Sequence, residues 1–307
     1  MKQTLKFEVE LDENHLPINI TMNASDGVAN ECNIKALMIS AWAAETKETL
    51  RIDLWTKNMP VNIIAEIGSN WEGDIDLGKL HIKKAKESGA THVKFQMWRA
   101  EDLYETSDPD WNEIKKSELN KDVAIELKKY ADNLDIKWFC SVFYPESVEF
   151  LESINVEIYK IASWTAALKH KFALETIQKV GQTKKQTFIS TGNGIERNIV
   201  EKEFEQKKLK YTYCIAKYPA LDQDIDWDEI LKYNFFSDHT LGITIPLTYV
   251  ILKKSLGEKE LFIEKHVKLG NSVGPDAPFS ITFGELQNMT EQIKRIEKMN
   301  LPNLSIA

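Results

Sequence analysis

Two histidines, His239 and His266, each follow a short apolar run in the last third of the chain, Phe235–Ser237 and Leu261–Glu264. The 26 residues between the histidines leave room for one crossover helix. Two parallel neighbouring strands would therefore bring both imidazoles to the same edge of a sheet. Two imidazoles completed by oxygen ligands suit a divalent metal that polarises a carbonyl group. The alternative is a pair of unrelated loop histidines.

Two lysines, Lys94 and Lys160, each lie inside an apolar run, within Val93–Phe95 and Tyr159–Ile161. A lysine in the interior of a sheet is costly unless it is paired or binds an anion. Three interpretations stay open: binding of phosphate or carboxylate, a Schiff base as in an aldolase, and simple pairing with a carboxylate such as Glu66 or Glu264.

The composition narrows the class of protein. The chain has 307 residues and a formal net charge of −8, which argues against sequence-independent binding to nucleic acid. An anionic substrate would need a local positive pocket. No apolar run approaches the roughly 18 residues of a membrane span, and the first residues do not form a signal peptide. We therefore expect a cytoplasmic protein whose cysteines are reduced and buried, namely Cys32, Cys140 and Cys214.

Residues 1–58 form a first predicted module. Apolar and polar residues alternate there and are separated by polar turns such as Asp12-Glu13-Asn14, which predicts an antiparallel β-meander of about four strands. The stretch Leu50–Val61 resembles a small gliding-motility accessory protein of Bacteroidetes-type bacteria. In that family a helix follows the strands, whereas here another pattern begins at Val61. The module carries no residues that suggest catalysis, and it could be a fusion.

Residues 59–307 form a second predicted module, in which strands alternate with helices. Eight such βα units over this length predict a (β/α)₈ TIM barrel, with a doubly wound sheet as the alternative. The predicted strands are residues 61–67, 91–96, 136–141, 157–163, 187–192, 211–215, 235–237 and 261–264. Active sites of such barrels lie at the carboxyl ends of the strands. Nearly every predicted strand ends in a polar side chain: Glu66, Lys94, Gln96, Ser141, Lys160, Ser163, Ser190, Thr191, Tyr218, Ser237, Asp238, His239, Glu264, Lys265 and His266.

Seven segments of this module resemble the sialic acid (N-acetylneuraminate) synthase family, and they occur in the order found in that family. They are Ile64–Asn70, Val93–Gln96, Tyr159–Ser163, Ser190–Gly192, Phe236–Gly242, Glu264–His266 and Gly274–Asp276. The resemblance implies a TIM-barrel transferase that condenses phosphoenolpyruvate with the aldehyde of an open-chain N-acetylhexosamine. The products are a nonulosonic acid and phosphate.

The resemblance also implies roles for individual residues. His239 and His266 would hold a divalent metal that activates the aldehyde, with Mn²⁺ expected and Mg²⁺, Co²⁺ or Zn²⁺ as alternatives. Glu66, Lys160 and Glu264 would be catalytic. The substrate-binding set would be Lys94, Gln96, Asn70, Ser163, Tyr218, Ser237 and Asp276. Within the whole set, Lys94, Lys160, Ser163 and Ser237 match positions that bind phosphate and carboxylate.

The chain departs from the family pattern at several positions. Trp71 stands where the family has histidine, Val142 replaces a phosphate-binding threonine, and Ala216 replaces an asparagine. The stretch Trp164–Ala166 lacks the usual acidic residue. We expect no antifreeze-like domain after the barrel; in the family this domain supplies an arginine to the partner subunit's sugar site.

These departures leave several outcomes open. The sugar could differ, Lys217 could replace a lost anion contact, or the barrel could be non-catalytic and act in binding or assembly. A homodimer is the candidate assembly. Sequence alone does not choose the sugar, the metal or the oligomeric state.

Overall fold

A computed structural model describes residues 5–11, 17–24, 32–33, 36–43, 48–55, 60–258, 260–302 and 304. The chain divides into two units, Met1–Met59 and Pro60–Ala307. None of the helices in the described part of the chain is long and apolar enough to cross a lipid bilayer.

The first unit is antiparallel, as the alternation of residue types predicts. Its strands are β1 (Leu5–Leu11), β2 (Pro17–Ala24), β3 (Cys32–Asn33), β4 (Ala36–Ala43) and β5 (Glu48–Trp55). Within the residues described here they form two antiparallel sheets, β1-β2-β3 and β4-β5. On β1, exposed Lys6 and Glu8 alternate with half-buried Phe7 and Val9. The predicted turn at residues 12–14 lies outside the described residues.

The second unit contains a closed barrel of eight parallel strands, which confirms the predicted fold. The strands pair in the order β12-β11-β10-β9-β8-β7-β6-β13, and β13 also pairs with β12 and thereby closes the barrel. They are β6 (Val61–Glu66), β7 (His92–Met97), β8 (Lys137–Val142), β9 (Ile158–Ile161), β10 (Gln186–Ser190), β11 (Leu209–Cys214), β12 (Phe235–Asp238) and β13 (Leu261–Lys268). A two-residue strand, β14 (Ile281–Thr282), extends the edge beside β13.

Helices cover the barrel, and side-chain caps fix where several of them start. Asp74 caps α1, Asn120 caps α4, and Thr282 forms a reciprocal capping box with Glu285 at α11. The helices are α1 (Ile75–Glu87), α2 (Ala100–Leu103), α3 (Trp111–Lys116), α4 (Lys121–Asn133), α5 (Pro145–Ser153), α6 (Ser163–Ala166), α7 (Ala173–Gln182), α8 (Arg197–Val200), α9 (Trp227–Ile230), α10 (Thr244–Ser255) and α11 (Phe283–Lys298).

Two helices differ from the sequence expectation. The spacing of apolar residues predicts a helix over residues 168–180. This helix begins only at Ala173, because Leu168 adopts a positive φ of 54° that a helix does not allow. The same kind of spacing predicts one helix over residues 195–206, which the structure divides into α8 and a 3₁₀ turn at Glu201–Glu203. That turn packs tightly on α7, because a Cβ added to Gly181 would lie 2.2 Å from the carbonyl oxygen of Glu203.

An aromatic cluster fills the lower part of the barrel interior. The rings of Phe188 and Phe235 lie 4.8 Å apart edge to face, and Phe262 lies 5.1 Å from Phe188. The buried imidazole of His92 packs between Phe139 and Phe262. We call these rings the aromatic floor of the barrel. The polar side chains described below lie above it, towards the carboxyl ends of the strands.

The buried His92 makes a prediction about acid stability. Burial, aided by Lys137, lowers the pKa of His92 from 6.5 to about 4. Between pH 6.5 and pH 4, His92 is therefore protonated in the unfolded chain but neutral in the folded chain. The contribution of neutral His92 to the free energy of unfolding is fully present above pH 6.5 and is lost as the pH falls towards 4. We expect His92→Leu to reduce this loss by up to about 3 kcal/mol. Urea unfolding followed by tryptophan fluorescence between pH 7 and pH 4 measures it, and parallel curves for the two proteins would contradict it.

Candidate active site

A network of four buried charges lies at the carboxyl end of the barrel. Lys94 Nζ on β7 is 2.8 Å from Glu66 Oε2 on β6 and 3.0 Å from Glu264 Oε1 on β13. Lys160 Nζ on β9 is 3.4 Å from Glu264 Oε2 and 4.4 Å from the centre of the Phe235 ring below it. All four charged side chains are at most 5% exposed. Glu264 thus bridges both lysines.

Neutral polar groups complete this network. Gln96 Nε2 donates to Glu66 Oε1 at 2.7 Å, and Ser237 Oγ donates to Glu264 Oε1 at 2.8 Å. Lys160 Nζ donates to Thr212 Oγ1 at 3.3 Å. The structure therefore joins predicted site residues from β6, β7, β9, β12 and β13 into one contiguous cluster, which we call the lysine–glutamate network.

The electrostatics of the network follow from burial and pairing. Burial lowers the pKa of Lys94 to about 8, although Glu264 opposes the shift. Burial would raise the pKa of Glu264, but Lys160 and Lys94 outweigh it and hold this pKa well below its usual value. The pairing of both lysines with carboxylates, one of the three sequence interpretations, is the arrangement observed. Two positive and two negative charges cancel, so the network by itself has no surplus charge for an anion.

His239 and His266 converge beside the network, as the strand spacing predicted. Their ring centres lie 5.7 Å apart, and both side chains are about nine-tenths buried. His239 Nδ1 donates to the carbonyl oxygen of Ile215 at 2.6 Å, which leaves the lone pair of Nε2 free. His266 Nδ1 is buried and has no hydrogen-bond partner among the described residues.

These two imidazoles fit a divalent metal. Burial lowers the pKa of His239 to about 4 and that of His266 to about 3, so both are neutral and able to bind a metal near pH 7. Across the described part of the chain, however, no group of three or more histidine, cysteine or carboxylate side chains could hold a metal ion. The protein would supply two nitrogen ligands, and water or substrate oxygens would supply the rest.

Asp276, the last residue of the Gly274–Asp276 segment, lies next to His266 at the carboxyl end of the barrel, which we call the mouth. Its Oδ2 accepts hydrogen bonds from the backbone N of Ser69 at 2.7 Å and from Ser69 Oγ at 2.9 Å, and it lies 4.0 Å from His266 Nδ1. Gly68 makes this contact possible, since it has a positive φ of 54° and an added Cβ would lie 2.1 Å from Asp276 Oδ2. The loop after β6 thus holds the carboxylate against the histidine.

Three further predicted site residues, Asn70, Ser163 and Tyr218, lie outside the lysine–glutamate network and differ in burial and hydrogen bonding. Asn70 is fully buried and its amide nitrogen donates to the carbonyl oxygen of Val267 and to Ser280 Oγ, so it braces the β13 loop. Ser163 Oγ accepts a hydrogen bond from Asn193 at 2.9 Å. Tyr218 is half-exposed, and its ring lies 4.4 Å from that of His239.

Several contacts at the mouth were not foreseen from the sequence. Phe279 packs its ring 4.8 Å from His266 and 5.0 Å from Tyr218. The fully buried pair Lys265 Nζ–Asp238 Oδ2, 2.6 Å apart, links the strands that carry the two histidines. The only sequence signal for this pair was its position directly before His239 and His266.

The structure also shows the surroundings of Lys217 and of two residues that depart from the family pattern, Val142 and Trp71. Lys217 does not supply an anion contact in the mouth, because it is 62% exposed and pairs with Asp224 at 2.6 Å. Val142 is fully buried at the end of β8. Trp71 is buried and packs edge to face on Phe95, so it serves the packing behind the barrel wall.

Comparison with known proteins agrees with this geometry. The NeuB family model matches residues 81–301, which is more than half of the chain. The chain belongs to the NeuB family. Residues 17–68 match a second model, that of gliding motility-associated protein GldC-like. The comparisons therefore support both resemblances drawn from the sequence.

Two relatives and one solved structure show how similar known proteins are to this NeuB family member. An uncharacterized protein of Methanocaldococcus jannaschii is 33% identical over 79% of this chain and 73% of its own length. The pseudaminic acid synthase of Helicobacter pylori is 28% identical over 77% of this chain and 74% of its own length. The crystal structure of N-acetylneuraminic acid synthetase from Leptospira borgpetersenii, in complex with citrate, has a TM-score of 0.68 and 26% identity over 85% of this chain and 90% of that one.

The Asp238–Lys265 pair generates a stability prediction. Removing one partner of a buried ion pair leaves the other charge unpaired, so we expect Lys265→Met to lower the free energy of unfolding by about 3–5 kcal/mol. The double variant Asp238→Asn/Lys265→Met removes both charges and should recover part of that loss. Urea unfolding of the three proteins at pH 7.5 measures the difference. Equal losses in the single and double variants would argue that the charge pairing contributes nothing.

Proposed function

We propose that this chain is a metal-dependent synthase that condenses phosphoenolpyruvate with the aldehyde of an N-acylated amino sugar, forming a nonulosonic acid and phosphate. The observation that carries the proposal is the juxtaposition, in one barrel mouth, of the lysine–glutamate network and a pair of neutral histidines. Membership of the NeuB family supports it and favours condensation over a Schiff-base aldolase that would use Lys160.

Charge balance explains why such a site would use a metal. Phosphoenolpyruvate carries a carboxylate and a phosphate, whereas the two lysines are already neutralised by Glu66 and Glu264. A divalent cation, which we propose to be Mn²⁺ held by His239 and His266, would supply the missing positive charge and would polarise the aldehyde oxygen.

Each of the other residues in the site would then have a separate role, set by its position. Lys94 and Lys160 would turn their N–H groups from the glutamates towards the carboxylate and phosphate, assisted by Ser163 and Ser237. Carbon 3 of phosphoenolpyruvate forms the new bond to the aldehyde carbon, water adds at carbon 2, and phosphate leaves by cleavage of the C–O bond. Glu66, with Gln96 beside it, would accept protons from sugar hydroxyls or water.

The proposal predicts that the reaction needs both substrates and the metal at the same time. Phosphate release should need phosphoenolpyruvate, an N-acylated hexosamine and Mn²⁺ together, and His239→Ala should lower kcat/KM by about 10³-fold or more, because it removes half of the metal's protein ligands. A coupled assay for phosphate measures the rate, and calorimetry with Mn²⁺ measures the binding of the metal. His92→Leu, which changes a buried histidine in the aromatic floor of the barrel, is the matched control and should retain activity.

The outcomes separate the proposal from its rival. Tight binding of phosphoenolpyruvate without phosphate release from any of a panel of N-acylated hexosamines would favour a non-catalytic binding protein. No effect of His239→Ala on Mn²⁺ affinity would remove the histidine pair from the proposed metal site.

The pKa of Lys94 predicts a pH dependence for substrate binding. Burial lowers this pKa to about 8, so in the free protein Lys94 loses its charge as the pH rises above 8. The unprotonated form has one fewer positive charge for an anion, so KM for phosphoenolpyruvate should rise by up to about tenfold per pH unit above that point. Initial rates between pH 7 and pH 9.5 test this, and a flat KM would mean that Lys94 does not bind the anion.

A further inference from the structure

A cavity of about 630 Å³ lies where α4 and α5 begin, outside the lysine–glutamate network. This volume is in the range of small-molecule binding sites. The wall is built by the end of β7 with the loop after it, by the end of α3, and by the starts of α4 and α5. None of the residues in the wall belongs to the proposed active site. The cavity is therefore a separate feature of the barrel.

Positive charge is in excess in the wall of this cavity. Its charged side chains are four cations and two carboxylates, namely Arg99, Lys115, Lys116, Lys121, Glu118 and Glu146. Arg99 Nη2 lies 3.2 Å from Glu146 Oε2. Lys115 Nζ lies 2.9 Å from Glu118 Oε2. Both carboxylates are thus paired within the wall, whereas Lys116 and Lys121 have no carboxylate within 4.0 Å in the part of the chain that the structure describes.

The backbone and side-chain contacts of these two lysines hold them at the cavity. Gly73 has a positive φ of 68°, and a Cβ added there would lie 2.0 Å from the carbonyl oxygen of Lys116, so the loop after β6 packs tightly against the end of α3. Lys121 Nζ lies 5.6 Å from the centre of the Phe150 ring. The chain as a whole has a formal net charge of −8, which repels anions. A local surplus of two positive charges therefore marks a place where an anion would be retained.

Two further features of the wall favour an anion. Helices α4 and α5, of 13 and 9 residues, both start at the cavity, and the positive end of a helix dipole lies at its start. Trp98 also lines the cavity and is only 6% exposed, and its Nε1 has no hydrogen-bond partner among the described residues. A buried donor without a partner is costly, and in native proteins such donors are often satisfied by a bound molecule.

The rest of the wall suits an organic group attached to the anion. The guanidinium carbon of Arg99 lies 3.9 Å from the centre of the Tyr144 ring, so the two planes form one stacked surface. Met97 and Leu119 add apolar side chains to the wall. A phosphate group alone would fill only a small part of the cavity, which leaves room for a sugar-sized or larger body.

We propose that this cavity binds the phosphate group of a phosphate monoester, at a site separate from the lysine–glutamate network. Such a group carries a charge of about −1.5 to −2 near pH 7, which matches the two unpaired lysines. Its terminal oxygens accept charge-assisted hydrogen bonds from ammonium groups. Two sources share this chemistry, an organic ester whose body would lie on the Arg99–Tyr144 surface, and inorganic phosphate. The proposal does not depend on the synthase activity, because the site has its own residues.

Isothermal titration calorimetry of the full chain, without metal, tests this proposal with glucose 6-phosphate, inorganic phosphate and glucose as probes. We expect both phosphates to bind and glucose not to bind. Lys116→Met/Lys121→Met should raise the Kd of the phosphates by about tenfold or more, because it removes both unpaired cations. Tighter binding of glucose 6-phosphate would assign the site to an organic ester, and equal binding would assign it to inorganic phosphate. Either result supports the site.

Lys129→Met/Lys184→Met is the matched control. It also removes two exposed lysines, neither of which lines the cavity, so it should leave the Kd nearly unchanged. All four substituted side chains are exposed, and thermal unfolding checks that both variants are folded. No binding of either phosphate, or the same Kd in the unaltered chain and in Lys116→Met/Lys121→Met, would overturn the proposal. An equal loss of affinity in the control would overturn it as well, because net charge rather than the cavity would then decide the binding.

Discussion

The burial of four charges inside the barrel is the constraint on which the rest of the site depends. Two lysines and two glutamates lie above an aromatic floor, where an unpaired charge would be costly. Pairing through Glu264 solves that problem and also holds the lysine side chains in fixed positions. The same arrangement stores hydrogen-bond donors that an incoming anion could take over. Stability and proposed function therefore use the same contacts.

The histidine pair is supported from outside the barrel interior. Lys265 and Asp238 connect β13 to β12 directly beside the two imidazoles, and Lys265 also donates to the carbonyl oxygen of Thr240. On the other side, Gly68 lets Asp276 approach His266. These contacts fix the two strands that carry the histidines, and they hold the two ring centres 5.7 Å apart. Such preorganisation is what the proposed metal site, with two protein ligands, would require.

The two halves of the mouth differ in how closely they follow the NeuB pattern. The strands that carry the histidines and Glu264 contain segments that resemble the family motifs, whereas Val142 at the end of β8 and the stretch Trp164–Ala166 after β9 depart from the family pattern. In a barrel enzyme the strands position the chemistry, and the loops choose the substrate.

The sequence by itself determined the barrel, because eight mainly apolar runs alternate with helical patterns over the length that such a fold needs. Polar residues at or near the ends of those runs indicated Glu66, Lys94, Lys160, His239 and His266 as candidate site residues without coordinates. Only the tertiary structure decided the contacts of individual side chains. It showed that Glu264 bridges both lysines, that Lys217 faces solvent, and that Asn70 braces a loop. It also brought the rings of Trp98 and His170, which are 72 residues apart in the chain, into contact with the ring of Phe143. Such contacts depend on loop paths and strand order, which periodicity does not encode.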